Sequence, residues 1–432
     1  MQLMTKKLPL SQVETGLMLV GCFQEGREHG LMAAINTASG GALAHQAEID
    51  GFTGKVGETL VHYPYRLMSA QRVMLYGLGP REKFTVDVLR QALTKAFRAA
   101  RALKVHELTV AEIPLAGTKV SRYEFGEAVG AYAGMIDYEI NSQKTSHRGY
   151  KPRPQVEEIR LVTTGRGSKS LATGLMNGRT IANAVNFARD LSNMPAADLT
   201  PTVFASHAQA VAERSNGRIS LRLIHMDELK AMGLNAVLAV NRGSAEPAVV
   251  AVLTYTPPSG ATEDVLGLIG KTITFDSGGL NLKPAEGMRW MKRDMSGGAA
   301  TLAAIEAIAQ LGLPISVMAL MAATENMPDG RAYKPGDVVH TLAGISVEVD
   351  NTDAEGRLTL ADMIALAKSM GVKRFITDAT LTGAVKQISA DVAAGLFSNN
   401  ERFASLLIKA GKRAGEAYQL IDMHPELRDF NK

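Results

Sequence analysis

Short apolar runs of strand length alternate with stretches of helical spacing along most of this chain, and no other feature constrains its fold as much. Strands separated by helices pair in parallel and bury both faces of their sheet, so an α/β architecture is predicted. Over the first part, strands are predicted at 17–22, 72–76, 107–113 and 158–163, with helices at 86–103 and 124–138 and a polar loop at 141–154. The pattern loosens around 167–169, which divides the chain into an N-terminal α/β domain over 1–169 and a second domain over 170–432. The second domain carries predicted helices at 171–191, 203–214, 226–232, 298–311 and 360–369, and a helix start in the turn at 193–201. Its predicted strands are 219–224, 249–254, 265–269, 317–322, 345–349 and 374–378. Each domain is expected to hold a mixed or mostly parallel sheet flanked by helices.

The chemistry concentrates in the second domain. In the segment Val349-Asp350-Asn351-Thr352-Asp353-Ala354-Glu355-Gly356-Arg357-Leu358, two acids stand two residues apart after an apolar strand pattern. In an extended backbone such residues face one side, so Asp353 and Glu355 are expected to converge. Alone, an Asp-x-Glu before a helix reads most simply as a solvated loop whose charge suits the helix N-terminus. A second cluster changes that balance. Lys271, Asp276, Lys283 and Asp294 punctuate a glycine-rich stretch after the strand at 265–269, the kind of strand end where open α/β sheets place ligands. Four carboxylates at one place repel unless cations sit between them, and two divalent ions balance four negative charges. Hard oxygen ligands suit Zn, Mn and Mg alike, so they do not select the metal.

Other schemes have little support. None of the nine histidines lies in HExxH, no serine lies in GxSxG, and the glycines at 77–80 and 165–167 lack a nucleotide-binding context. The single cysteine, Cys22, excludes an intrachain disulfide and any CxxC metal site. A net charge of +4 without a Lys/Arg block gives nucleic-acid binding no support. No apolar run reaches membrane-spanning length, and no signal-type region follows the start, so a cytoplasmic protein is expected.

The octapeptide Asn351-Thr352-Asp353-Ala354-Glu355-Gly356-Arg357-Leu358 resembles the signature of the leucyl aminopeptidase family, the two-metal cytosolic peptidases. Lys271-x-x-x-x-Asp276 followed by Lys283 is an independent match, and the resemblance extends to about residue 425. It implies two divalent ions, Mn or Zn, held by Lys271, Asp276, Asp294, Asp353 and Glu355. Lys271 would ligate as a neutral amine, its pKa depressed by the ions. Lys283 would stabilise the oxyanion, and Arg357 would hold a bicarbonate acting as general base beside a helix N-terminus. Met291, Thr380 and Gly383 would line the pocket for a first side chain such as Leu or Met; a core methionine and a plain turn are the alternative for these three. Glu325 and Asn326, in a further family-like stretch, read as loop support and not as ligands. The implied substrates are peptides with a free N-terminus, and the implied assembly is a homohexamer.

Two departures stand out. Thr272 occupies a position where the family usually has glycine, and family members continue several dozen residues past the match to Lys432. The second departure motivates the alternative of a shortened, non-catalytic relative acting as a binding or assembly subunit.

Overall fold

The computed structural model describes residues 2–25, 30–136, 138–140, 156–163 and 169–431, and the predicted loop over 141–154 and glycines 165–167 lie outside them. The chain begins with β1 (Gln2–Lys7), β2 (Leu17–Phe23), α1 (Gly30–Ala38), α2 (Ala42–Ile49), β3 (Thr59–His62), β4 (Val73–Gly79), α3 (Val86–Ala102), β5 (Glu107–Ala111), α4 (Arg122–Ile136) and β6 (Glu158–Thr163). A long helix, α5 (Lys169–Asn193), follows. Then come α6 (Pro201–Arg214), β7 (Ile219–Ile224), α7 (Met226–Met232), α8 (Asn235–Asn241), β8 (Val249–Tyr255), β9 (Val265–Asp276), α9 (Ala285–Met288), α10 (Ser296–Leu311) and β10 (Ser316–Asn326). They are followed by β11 (Val338–His340), β12 (Ser346–Glu348), α11 (Glu355–Ser369) and β13 (Arg374–Asp378). The last elements are α12 (Val385–Ser389), β14 (Ala394–Leu396), α13 (Glu401–Ala414) and β15 (Tyr418–Leu420).

By its own contacts the chain forms two compact units. One comprises Met1–Asp137, Pro152–Arg179 and Thr382–Lys432; the other comprises Tyr138–Lys151 and Thr180–Leu381. The first holds a six-stranded sheet of order β1-β6-β5-β2-β4-β3, parallel except for β3. Its apolar residues are buried on alternate faces: Leu17 and Leu19 pack into one core, Met18, Val20 and Cys22 into the other. This doubly covered sheet is why β2 reads as a continuous apolar run.

The second unit is built on a five-stranded sheet of order β13-β9-β10-β8-β7. β13, β9, β10 and β7 run in one direction, and β8 alone is reversed, pairing antiparallel with both β10 and β7. Along β10, Val317, Ala319, Met321 and Ala323 face a core shared with α6 and α10, while Met318, Leu320 and Ala322 face a core shared with α8 and α11. The Thr200 side chain accepts from the Val203 backbone N–H and Pro201 occupies the first turn, which fixes the start of α6.

Three local readings are corrected. β9 continues to Asp276, so Lys271 and Asp276 stand on the strand itself and not in a loop after residue 269. The apolar run at 345–349 pairs only in the small antiparallel hairpin β11/β12, outside the main sheet. Residues Thr352–Ala354 form a 3-10 turn and Glu355 begins α11, so Asp353 and Glu355 are not in extended backbone.

Candidate metal centre

The site lies where the ends of β9 and β10 meet the start of α11. Parallel strands β9 and β10 pair as far as Asp276 opposite Asn326, with one register shift between Thr324 and Glu325, which brings both strand ends to one edge. After Asp276 the chain reverses through Gly278 and Gly279, whose φ values of 87° and 67° suit glycine. The Gly278 N–H donates to Asp276 Oδ1 at 2.9 Å, and the Lys283 N–H closes the loop onto the Ser277 carbonyl at 2.9 Å.

Asp353 is delivered by side-chain capping. Asn351 Oδ1 accepts from the Asp353 N–H at 2.8 Å, favouring the 3-10 turn over an extended strand. Thr352, fully buried, latches this turn to the glycine loop: its hydroxyl donates to the Gly278 carbonyl at 2.7 Å and accepts from the Asn281 N–H at 2.9 Å. Asn281 Oδ1 accepts from the Thr352 N–H at 2.9 Å, and the Tyr333 hydroxyl donates to the Thr352 carbonyl at 2.6 Å. One oxygen each of Asp276, Asp353 and Glu355 thereby lies within 4.8 Å of the other two. The convergence inferred from the Asp-x-Glu spacing is present, although a turn and a helix start produce it.

Two lysines bind the acids together. Lys271 Nζ is 2.9 Å from Asp294 Oδ2 and 2.8 Å from Glu355 Oε1, and it donates to the Thr380 carbonyl at 3.2 Å. Lys283 Nζ is 2.9 Å from Asp276 Oδ2 and 2.5 Å from Asp353 Oδ1. Asp294 also accepts from the Thr380 hydroxyl at 2.7 Å. Room for Lys271 comes from Gly356: a β-carbon there would stand 2.6 Å from Lys271 Cε. Thr272 turns its hydroxyl onto the Gly270 carbonyl at 2.9 Å and stays buried, so its β-carbon is accommodated.

Lys271, Asp276, Asp294 and Glu355 are each at most 5% exposed. Burial pushes the Asp294 carboxyl up to about 7; the Lys271 charge opposes this and Glu355 adds to it. Burial likewise raises Glu355, with Lys271 opposing and Asp276 adding. Burial alone would lower the Lys271 ammonium, but Asp294 and Glu355 outweigh it and the net shift is upward. For Lys283, burial is outweighed by its contacts with Asp353 and Asp276, and it too is raised. Four carboxylates thus share two ammoniums, a surplus of negative charge in a nearly dry place.

The donor chemistry fits divalent cations: hard carboxylate oxygens grouped tightly, an amine among them, and charge left to neutralise. Met291 stands half-buried in the short 3-10 helix before Asp294. Arg357 is exposed in the first turn of α11. Gly383 belongs to the other compact unit. Asn326 was the residue underestimated in sequence: its side-chain amide reaches Asp276, Glu355 and the Thr352 carbonyl. Its sequence signals are its place in the family-like stretch at 325–330 and a polar residue closing an apolar strand.

The chain is similar to known proteins along nearly its whole length. The cytosol aminopeptidase family matches in two parts, its N-terminal domain at residues 19–147 and its catalytic domain at 186–432. A probable cytosol aminopeptidase of Alkaliphilus metalliredigens is 34% identical over 98% of this chain and 84% of its own length. That of Aquifex aeolicus is 37% identical over 91% of this chain and 77% of its own length. Among solved structures, the bottromycin maturation enzyme BotP in complex with Mn superposes with a TM-score of 0.81 at 30% identity, covering 96% of this chain and 83% of BotP. A mutant of tomato leucine aminopeptidase gives 0.85 at 26% identity, over 98% of this chain and 82% of the tomato chain.

Proposed function

Because the chain belongs to the cytosol aminopeptidase family, and is by that membership a metal-dependent peptidase, we propose that it removes apolar, Leu-type residues from the N-termini of peptides. The carrying observation is the convergence of Asp276, Asp353 and Glu355 within 4.8 Å, joined to Asp294 through Lys271. Lys271, Asp276, Asp294, Asp353 and Glu355 would hold two divalent ions, Mn or Zn, which supply Lewis-acid polarisation of the scissile carbonyl and an activated water.

The chain's own residues divide the remaining work. Lys283, its pKa raised and its side chain fixed between Asp276 and Asp353, stays charged at neutral pH and is assigned to the developing oxyanion. Arg357, exposed in the first turn of α11, is assigned to an anion such as bicarbonate, which the helix N-terminus favours and which would act as general base. The apolar preference is supported by exposed Leu280, Leu282 and Trp290, which sit on the segments carrying Lys283 and Asp294, with Met291 beside them. Thr380 is assigned to the proposed pocket, although it also braces Asp294.

The non-catalytic alternative is not favoured: the chain keeps every proposed ligand residue together with Lys283 and Arg357. A division into domains 1–169 and 170–432, a cytoplasmic location and a homohexamer belong to the same proposal; sedimentation of the purified protein as a monomer would count against the hexamer. The activity is tested with a free and an N-acetylated leucyl peptide, followed by mass spectrometry with added Mn or Zn. Release of leucine from the free peptide alone supports an aminopeptidase. Cleavage of both peptides, or of neither, would refute it.

A further inference from the structure

We infer that Asn326 is a positioning residue that sets the spacing of the metal-binding carboxylates and thereby the metal affinity of the centre. The inference rests on the metal site proposed above and concerns a residue that ligates nothing itself.

Asn326 ends β10 and is fully buried. Its Nδ2 faces three oxygens: Asp276 Oδ1 at 2.9 Å, the Thr352 carbonyl at 2.9 Å and Glu355 Oε2 at 3.5 Å. Three acceptors around one atom identify it as the nitrogen of the amide. Those acceptors belong to the three segments that deliver the convergent acids: the end of β9 for Asp276, the start of α11 for Glu355, and the residue before Asp353. The main chain is held as firmly, since the Asn326 carbonyl accepts from the Ser277 N–H at 3.0 Å and from the Ser277 hydroxyl at 2.7 Å.

The chemistry explains why an amide stands here. The site already concentrates four carboxylates, so another acid would add repulsion, and a lysine would neutralise the charge that a metal needs. A neutral amide adds no charge: its two N–H groups serve Asp276 Oδ1 and the Thr352 carbonyl at 2.9 Å each, with Glu355 Oε2 farther off at 3.5 Å. By occupying Asp276 Oδ1 together with the Gly278 N–H, it leaves Asp276 Oδ2 directed to the site, where it meets Lys283. Groups that orient ligands in this way commonly change metal affinity or activity by about 10–100-fold when removed.

The test is calorimetric titration of metal-free protein with Mn²⁺, comparing wild type, Asn326→Ala and Asn326→Asp, with thermal unfolding of each. Asn326→Asp keeps the size of the side chain and turns the donor into an acceptor, so it covers the case in which the alanine variant does not fold. Weakening of Mn²⁺ binding by about 10-fold or more in a variant that still unfolds cooperatively near the wild-type temperature is the expected result. Wild-type affinity in a folded variant would overturn the positioning role, as would weakened binding that only parallels lost stability. Because the readout is binding, it separates this inference from the proposed activity: wild type that binds Mn²⁺ but releases no leucine contradicts the peptidase reading alone, and wild type that binds no Mn²⁺ contradicts both.

Discussion

Lys271 and Glu355, 84 positions apart in sequence, meet with Nζ 2.8 Å from Oε1, both almost completely buried. Asp294 holds the same ammonium from another side at 2.9 Å. Without cations, this lysine is what compensates two buried acids. Lys271→Met keeps the length and removes the charge; breaking a buried pair in this way costs up to about 3–5 kcal/mol. Thermal unfolding of the metal-free variant should show a clear loss of stability. Unchanged stability would mean that Lys271 does not neutralise the cluster.

The absence of a side chain at residue 356 makes this contact possible. In Gly356→Ala the new β-carbon would lie 2.6 Å from Lys271 Cε and 2.8 Å from Nζ, closer than real β-carbons approach their neighbours. Lys271 must shift, so turnover is expected to fall at least about 10-fold, as when ligand-orienting groups are disturbed, with cooperative unfolding retained. Wild-type kcat/KM in this variant would show that the exact place of Lys271 is unimportant.

Arg357→Ala addresses a group whose removal should not disturb the fold, because the side chain is exposed. The expected outcome is lower turnover with unchanged metal content, measured by elemental analysis of the purified protein. Loss of bound metal would reassign Arg357 to supporting the site.

Acid sensitivity is expected in the N-terminal unit. His62 is buried, with Nδ1 2.8 Å from Gln46 Oε1 and Nε2 without a hydrogen-bond partner among the described residues. Burial lowers its pKa. The unfolded chain therefore takes up a proton near about pH 6.5 where the folded chain does not, and stability falls as pH drops below that value. Urea unfolding at pH 7.5 and pH 5.5, two settings about one unit either side of that value, should show this loss, and His62→Gln should reduce it. An identical pH dependence in the variant would remove His62 from the explanation.

The acids stand out in the sequence because the offsets within each of two clusters are local, Asp276 following Lys271 closely and Asp353 and Glu355 standing two residues apart. Backbone geometry was less so. The Asp-x-Glu spacing is compatible with an extended strand, yet the Asn351 side chain captures the Asp353 N–H and selects a 3-10 turn. β9 also outran its predicted end, because Thr272 and Thr274 are polar by type but buried against neighbouring strands. Asn326 was hidden for a different reason. Its acceptors in Asp276 and Glu355 are 50 and 29 residues away, so a turn-forming asparagine before Met327-Pro328-Asp329-Gly330 looked like loop chemistry until tertiary pairing was known. The small role of Thr380 as a brace for Asp294, 86 residues distant, was inaccessible for the same reason.

The most direct test of the metal-centred peptidase is hydrolysis of leucine amide by the purified chain, metal-free and after addition of Mn or Zn, beside Glu355→Ala. Turnover that requires metal in the wild type and is absent from a folded Glu355→Ala variant is the expected result. A folded, metal-loaded wild type with no turnover, or a variant that matches it, would contradict the account.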